Sequence, residues 1–150
     1  MIKKSSLKEY DVNYSSYQAY KFKYENDEVI AVNIQENTNK EIIIVSKKGM
    51  AIRFTSDNVN AMGRIASGVT GISLKEDDEA ISGIIINELN VNQDEKSVYS
   101  DNDMEITLTT KNKDKKKILI NDIRVQNRAG RGTNVMVINL DDEIIETQYS

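Results

Sequence analysis

A repeat of 64 residues, without insertion or deletion, is the feature of this sequence that most constrains its fold. Residues 62–81 align with residues 126–145, and each copy joins a glycine-containing loop to an acidic turn. The matched positions include Arg64 and Arg128, Gly68 and Gly132, and the acidic triplets 77–79 and 141–143. A third turn of this kind, at residues 26–28, precedes the triplet 77–79 by 51 residues. A period of this size indicates one supersecondary unit that is used several times in an array.

Alternation of apolar and polar residues dominates the chain, and no window shows a convincing helical period. The pattern predicts an all-β fold with strands at residues 29–34, 41–46, 50–54, 71–74, 80–86, 104–110, 115–120, 134–140 and 144–147. The clearest hairpin is EIIIVS-KKG-MAIRF, in which Gly49 supplies the positive φ of a tight turn. Its repeat copy has no glycine, so Asn112 or Asp114 is expected to adopt that turn conformation. Linkers follow in register at residues 6–12, 55–61 and 120–126.

Units of about fifty residues with four short strands are typical of propeller-like blades of antiparallel sheet, which close into discs of roughly four to eight blades. The units predict a partial blade at residues 1–25, blades at 26–77 and 78–141, and the start of another at 142–150. The two repeat spacings differ by 13 residues, which a polar insertion at residues 87–103 explains. Residues 1–4 align with residues 50–53, in the middle of a unit. The chain is therefore expected to be a fragment of a longer protein, holding about three blades.

The composition excludes several classes of function. The chain has no cysteine and no histidine, which excludes Cys nucleophiles, Ser-His-Asp triads and zinc sites built on those residues. No run of about 20 apolar residues and no signal-peptide core are present, so a cytoplasmic location without membrane contact is expected. The net charge is −4, but the five acidic residues and one lysine of residues 88–103 account for all of it. Local cationic patches elsewhere decide whether a polyanion can bind.

The glycine loop at residues 126–132 combines the two features that phosphate contact needs. Arg128 and Arg131 supply positive charge, while Gly130 and Gly132 let the backbone approach a phosphate closely. Arg64 with its neighbouring glycines forms a weaker version. The alternative is that these glycines serve tight turns and the arginines are merely solvated. Likewise, Lys47 and Lys48 fit an exposed hairpin tip, and the lysines of residues 111–117 fit a protected sheet edge.

The acidic triplets could be mistaken for a metal site or catalytic carboxylates. Their identical position between two strands instead favours turns whose Asp side chains accept hydrogen bonds from the backbone. Residues 101–105 resemble the start of a calcium loop, but Ile106 and Asn112 stand where that loop needs glycine and glutamate. No metal site and no cofactor are therefore expected in this chain.

The hairpin IIIVSKKGMAIRF followed by MGRIASGVTGISLKEDDE resembles the C-terminal domain of the A subunits of bacterial type IIA topoisomerases, DNA gyrase and topoisomerase IV. The loop QNRAGRG is similar to the family's glycine-arginine box, Q-[RK]-R-G-G-[RK]-G. Asn127 and Ala129 depart from that pattern. The positions that fit it are Gln126, Arg128, Gly130, Arg131 and Gly132.

The resemblance implies a six-bladed β-pinwheel, of which this chain would be about half, with duplex DNA bent around its basic rim. In gyrase an intact box is needed to introduce negative supercoils, whereas topoisomerase IV carries degenerate boxes. The absence of an intact box favours topoisomerase IV, and gyrase remains open. The implied partners are double-stranded DNA, the ATPase subunit of the enzyme, and the rest of the A subunit, in the cytoplasm at the nucleoid.

The resemblance implies a sequence-independent DNA-binding and DNA-bending module with no catalytic residue of its own, in an ATP-dependent isomerase. The tyrosines of residues 10–24 are interpreted as packing or rim residues of a decayed first unit. The alternative function is a protein-interaction fragment of a β-propeller. The expected DNA-binding residues are Arg128, Arg131, Gly130, Gly132, Gln126, Arg64, Lys47, Lys48, Arg53, Arg124 and Lys111.

Overall fold

The computed structural model describes residues 1–11, 16–35, 40–86 and 104–150, and within them the regular elements are β-strands and short 3-10 turns. The strands form a four-stranded sheet in the order β3-β1-β2-β6 (sheet 1) and a three-stranded sheet in the order β5-β4-β7 (sheet 2). All strand pairs are antiparallel, which confirms the all-β prediction. The strands are β1 (Glu41–Ser46), β2 (Met50–Thr55), β3 (Ala80–Ile86), β4 (Glu105–Thr110), β5 (Lys115–Leu119), β6 (Thr133–Asn134) and β7 (Ile144–Tyr149).

The two sheets are copies of one arrangement at the spacing of the sequence repeat. Hairpin β1–β2 corresponds to hairpin β4–β5, and the strand after each acidic turn pairs back onto the hairpin before it. The pairings β1–β3 and β4–β7 each have a bulge at the matched place, after Val45 in sheet 1 and after Thr109 in sheet 2. The linkers form 3-10 turns at Leu7–Tyr10, Ser56–Asn58 and Ile120–Asp122. The sheets therefore draw strands from consecutive sequence units, which locks neighbouring units together.

Sheet 1 is buried on both faces, which explains why β1 reads as an almost continuous apolar run. One face contributes Ile42, Ile44, Ile52 and Phe54 to a core with Val59 and Ile72. The opposite face packs against sheet 2, and this core contains Ile43, Val45 and Ala51 of sheet 1 and Ile106, Leu108 and Ile118 of sheet 2.

Three predicted strands are wrong. Residues 29–34 form no ladder and lie beside β3, where the Asn33 Nδ2 group donates to the Gly83 carbonyl at 3.4 Å. Residues 71–74 exchange backbone hydrogen bonds with residues 129–130 of the glycine loop instead of with a strand. Of residues 134–140, only Asn134 is in a strand, because the N–H groups of Val135 and Met136 both donate to the Gly49 carbonyl in the hairpin turn. In each case an apolar segment lacks the neighbouring strand that a ladder requires.

The hairpin turns confirm one prediction and correct another. Gly49 has a φ of 86°, as expected for its turn. In the second hairpin the left-handed residue is Lys113, with a φ of 72°, and neither Asn112 nor Asp114. Lys113 is the residue 64 positions after Gly49, so the repeat register determined the turn geometry more strongly than residue preference did.

Two sequence expectations fall outside the described residues. The predicted insertion at residues 87–103 is one, and it includes the first three residues of the calcium-like segment. Residues 12–15 are the other, and they include Tyr14 and the last residue of the linker predicted at residues 6–12. In the remainder of the chain, no helix has the length and apolar character needed to cross a membrane.

Candidate nucleic-acid interface

The glycine loop at residues 126–132 lies at the edge of sheet 1. At its start the Gln126 N–H donates to the Arg53 carbonyl of β2 at 2.8 Å, and at its end Thr133 pairs with Ala51. Arg53 and Ala51 are two residues apart on one strand, a distance of about 7 Å. The two ends of the loop therefore lie close together on β2.

Position 132 requires glycine, and Gly130 allows a side chain of the same loop to pack closely against it. Gly132 has a φ of 76°, and a Cβ atom there would clash with the Ala51 carbonyl of β2. At Gly130 a Cβ atom would lie 2.6 Å from Oε1 of Gln126. Both glycines thus allow close packing of the loop, and Gln126 lies against Gly130 as part of the same turn.

Ala129 occupies a position at which the resembled box has glycine, and its φ is 68°. L-amino acids reach this left-handed region at a cost of about 1–2 kcal/mol. The conformation is held by hydrogen bonds to the preceding unit, since the Ala129 N–H donates to the Gly71 carbonyl at 2.8 Å and the Ser73 N–H donates to the Gly130 carbonyl at 2.9 Å. At position 129 the loop therefore has the left-handed conformation typical of glycine, although the residue is alanine.

The two arginines of the loop have different surroundings. Arg128 is half-buried, and its guanidinium donates to the carbonyls of Asn58 at 3.0 Å and Thr70 at 2.7 Å. Arg131 is exposed and has no partner among the described residues. Arg128 therefore ties the loop to the preceding unit, whereas Arg131 has its whole guanidinium available to a ligand.

In the first copy of the loop, Arg64 is covered by the tyrosine segment of the first unit. Its guanidinium carbon lies 4.9 Å from the ring centroid of Tyr17, and its Nη1 atom is buried without a hydrogen-bond partner in the described ranges. The Tyr20 hydroxyl donates to the Ser67 carbonyl at 2.6 Å. Burial, and secondarily the charge of Asp27, raises the pKa of Tyr20. Tyr17 and Tyr20 thus both contact the first copy of the loop, and Arg64 is less accessible than Arg131.

The hairpin tip of sheet 1 lies near the glycine loop. The Gly49 carbonyl, next to Lys48, accepts a hydrogen bond at 2.8 Å from the N–H of Val135, three residues after the loop ends. The Lys47 ammonium pairs with the Glu79 carboxylate at 2.8 Å. Their hydrogen bond, followed by their opposite charges, raises the pKa of Lys47 and lowers that of Glu79. Lys48 uses its backbone N–H, which donates to Oδ1 of Asp78 at 3.0 Å, and leaves its ammonium group without an ion pair in this part of the structure.

Arg53 has a structural position between two units. Its Nε and Nη2 atoms bind the Glu41 carboxylate at 2.7 and 2.5 Å, and its Nη1 atom donates to the Ile120 carbonyl at 3.0 Å. The side chain is only 13% exposed. By contrast, Arg124 and Lys111 are exposed, and neither side chain has a partner among the described residues.

The Asp side chains of the acidic turns accept hydrogen bonds from the backbone, as the sequence predicted, and they also bind the preceding hairpin. Asp78 accepts hydrogen bonds from the Ser46 hydroxyl at 2.7 Å and from the N–H groups of Lys48 and Glu79 at 3.0 and 2.9 Å. Asp142 repeats this pattern with the N–H groups of Asn112 and Glu143 at 3.1 and 2.9 Å. Among the described residues no group of three or more acidic side chains could hold a metal ion.

The sequence analysis did not identify Ser46 and Thr110 as partners of the acidic turns. Both are buried, at matched places just before the hairpin turns. Their hydroxyls bind Asp78 and Asp142, respectively. The sequence contains a signal for this role, because Ser46 and Thr110 are hydroxyl residues 64 positions apart and each ends a predominantly apolar or alternating strand.

Comparisons with known proteins agree with this geometry. A family model described as the DNA gyrase C-terminal domain, a β-propeller, matches residues 40–87 and 116–146. The A subunit of DNA gyrase from Staphylococcus epidermidis is 31% identical over 139 residues, which are 92% of this chain and 14% of that protein. The A subunit of DNA gyrase from Chlamydia trachomatis is 33% identical over 116 residues, which are 77% of this chain and 12% of that protein. The chain thus spans a small part of the length of these relatives.

Two solved structures share the fold. The crystal structure of the C-terminal domain of a DNA topoisomerase IV matches with a TM-score of 0.84 and 26% identity, covering 100% of this chain and 43% of that one. The Escherichia coli ParC C-terminal domain matches with a TM-score of 0.62 and 15% identity, over 86% of this chain and 49% of that one, which bears on the fold alone. Gyrase relatives and a topoisomerase IV structure are therefore both similar to this chain.

Proposed function

Since this chain belongs to the family of DNA gyrase C-terminal domains, we propose that it binds and bends duplex DNA without reading its sequence, as a non-catalytic module of a type IIA topoisomerase A subunit. The parent would be an ATP-dependent isomerase, and the module's partners would be duplex DNA, the ATPase subunit of that enzyme, and the rest of the A subunit. Sequence-independent binding needs cations that meet phosphates rather than donors that meet base edges.

The observation that carries the proposal is the glycine loop with its free arginine. Arg131 lies on a loop whose two ends both bond to β2 at the edge of sheet 1, and it has no partner among the described residues. Arg128 holds the loop in place through two carbonyls of the preceding unit. A cation kept on a fixed loop loses little conformational freedom when it binds a phosphate.

The energetics of bending call for several such contacts. Bending a duplex of roughly 20–30 base pairs by 40–90° costs about 1–6 kcal/mol. Phosphate neutralisation and counterion release offset this cost. The contacts we propose are Arg131 first, then the exposed side chains of Arg124 and Lys111 and the tip lysines Lys47 and Lys48. Arg128 acts as a positioning residue, and Arg64 contributes less because Tyr17 covers it. Arg53 binds Glu41 and the linker of the next unit, and it is left out of the contact set.

The test is the salt dependence of DNA affinity for Arg131→Ala, measured on two duplexes of equal length and unrelated sequence. Loss of one phosphate contact should weaken binding about equally for both duplexes and reduce the slope of log K against log salt by about 1. Arg131→Lys is the matched control, because it keeps the charge and should keep the slope. A slope that is unchanged in Arg131→Ala would contradict the proposed role of the loop.

A further inference from the structure

The two copies of the glycine loop are attached to the fold in the same way. At the start of the first copy, residues 62–68, the Met62 N–H donates to the Lys4 carbonyl at 2.8 Å. At its end, Val69 and Ile2 exchange backbone hydrogen bonds at 2.7 and 2.8 Å. These are the repeat counterparts of the bonds that fix the second copy, residues 126–132, to β2. A ligand contact on one copy therefore has a matched place on the other.

The first copy does not itself carry the free cation of the second. Ser67 stands 64 residues before Arg131, so a hydroxyl replaces the exposed guanidinium. The Ser67 carbonyl accepts the hydroxyl of Tyr20 at 2.6 Å. Arg64, which is the only arginine of residues 62–68, is half-buried beside the ring of Tyr17. The first copy thus presents no exposed arginine to a phosphate.

Lys21 lies beside the place where that cation is missing. Its N–H donates to the Ala66 carbonyl at 3.5 Å, next to Ser67. The equivalent bond at the second copy joins the Ser73 N–H to the Gly130 carbonyl at 2.9 Å, next to the free arginine. Lys21 is exposed, and its ammonium group has no partner among the described residues. Ser73 is exposed as well, although units lie on both sides of it, so exposure is a property of this position in the unit.

Lys3 holds the first copy in the way that Arg128 holds the second. The Lys3 ammonium group donates to the Ala19 carbonyl at 3.1 Å and to the Arg64 carbonyl. Ala19 stands 51 residues before Thr70, whose carbonyl accepts a hydrogen bond from Arg128. A cation therefore joins each copy to a matched carbonyl of the preceding unit, and the backbone beside Lys21 is fixed as it is beside Arg131.

We propose that Lys21 makes, at the first copy of the loop, the DNA phosphate contact that Arg131 makes at the second. This inference rests on the proposed function and adds to it a contact from outside the glycine loop. A phosphate requires a cation at a given place and not on a given segment, and a lysine ammonium group binds it as a point charge. Lys21 and Arg131 would hold the duplex at two successive units, as bending requires.

The salt dependence of DNA affinity tests Lys21 directly. On two duplexes of equal length and unrelated sequence, Lys21→Ala should reduce the slope of log K against log salt by about 1. Lys21→Arg keeps the charge and should keep the slope. Because the ammonium group has no partner in the described ranges, the urea midpoint of Lys21→Ala should equal that of the wild type.

Moving the cation onto the loop tests the equivalence of the two places. The double variant Lys21→Ala, Ser67→Arg puts a guanidinium at the position matched to Arg131 and should restore the wild-type slope. A slope that stays reduced in the double variant would contradict the equivalence. A wild-type slope in Lys21→Ala, alongside a reduced slope in Arg131→Ala, would overturn this inference and leave the proposed function intact. A wild-type chain that binds neither duplex would overturn the proposed function and this inference with it.

Discussion

At the residue scale, two residues other than glycine adopt the left-handed backbone conformation that usually requires glycine. Ala129 and Lys113 both have left-handed φ values, of 68° and 72°, at positions where the family pattern or the other repeat copy has glycine. Each is held by hydrogen bonds that the neighbouring unit or its own turn supplies. Local strain is tolerated where the surrounding structure fixes the conformation.

Ala129→Gly should therefore stabilise the chain. Relief of the left-handed strain is worth about 1–2 kcal/mol, and the greater freedom of glycine in the unfolded chain removes about 0.4–1 kcal/mol of it. The expected net gain in the free energy of unfolding is about 0.5–1 kcal/mol, measured by urea denaturation. Gly132→Ala is the opposing control, because its methyl group would meet the Ala51 carbonyl and should destabilise the chain. A loss of stability in Ala129→Gly would show that the methyl group makes favourable contacts that outweigh the strain.

At the element scale, the recurring device is an acidic turn that fastens the preceding hairpin. The Asp142 carboxyl is buried, which raises its pKa, but hydrogen bonds from the Thr110 hydroxyl and from the N–H groups of Glu143, Asn112 and Lys111 outweigh burial and hold the pKa below its ordinary value of 3.8. A carboxyl whose pKa is lower in the folded state stabilises the fold above its ordinary pKa and loses that contribution on protonation.

The fold should accordingly lose stability as the pH falls from about 4 through the lower folded-state pKa of Asp142. In Asp142→Asn this part of the pH dependence should be absent, so that the difference in Tm between the variant and the wild type shrinks on acidification. Thermal unfolding at a series of pH values measures it. Asp141→Asn, at the exposed neighbouring position, should keep the wild-type pH dependence. A constant Tm difference between Asp142→Asn and the wild type at all pH values would contradict the role given to this carboxyl.

At the scale of the whole molecule, Arg53 joins sheet 1 to the unit that follows. Its guanidinium spans the Glu41 carboxylate and the Ile120 carbonyl, so that it crosses from one sheet to the linker of the next. Removing it would leave Glu41 and the Ile120 carbonyl without their partner in a largely buried setting. Its effect should be on folding, whereas that of Arg131 should be on DNA affinity.

Arg53→Gln should lower the free energy of unfolding by about 1–3 kcal/mol, the range for breaking a partly buried charged hydrogen bond. Under conditions where the variant is fully folded, the slope of log K against log salt for DNA should remain that of the wild type. Arg131→Ala should give the reverse, with the slope reduced and the urea midpoint unchanged. A reduced slope in folded Arg53→Gln would instead return Arg53 to the phosphate contacts.

The hairpins and turns, whose residues are close together in the sequence, could be predicted from the sequence. The prediction matched β1 and β3 at both ends and placed the two hairpins, the acidic turns and the positive φ of Gly49. Residues 29–34 carry an equally apolar pattern and still form no strand. Their alternation indicates a face that can be buried, but a ladder needs a partner strand whose presence no local pattern reveals.

The repeat by itself determined that this chain is an array of antiparallel blades with glycine loops at matched places. Long-range contacts decided which cations those loops leave free, because the groups that engage Arg128 and Arg53 are carbonyls 70, 58 and 67 residues away in the chain. Arginines look alike in a sequence. The folded chain brings carbonyl oxygens to two of them, Arg128 and Arg53, and leaves Arg131 exposed without a partner among the described residues.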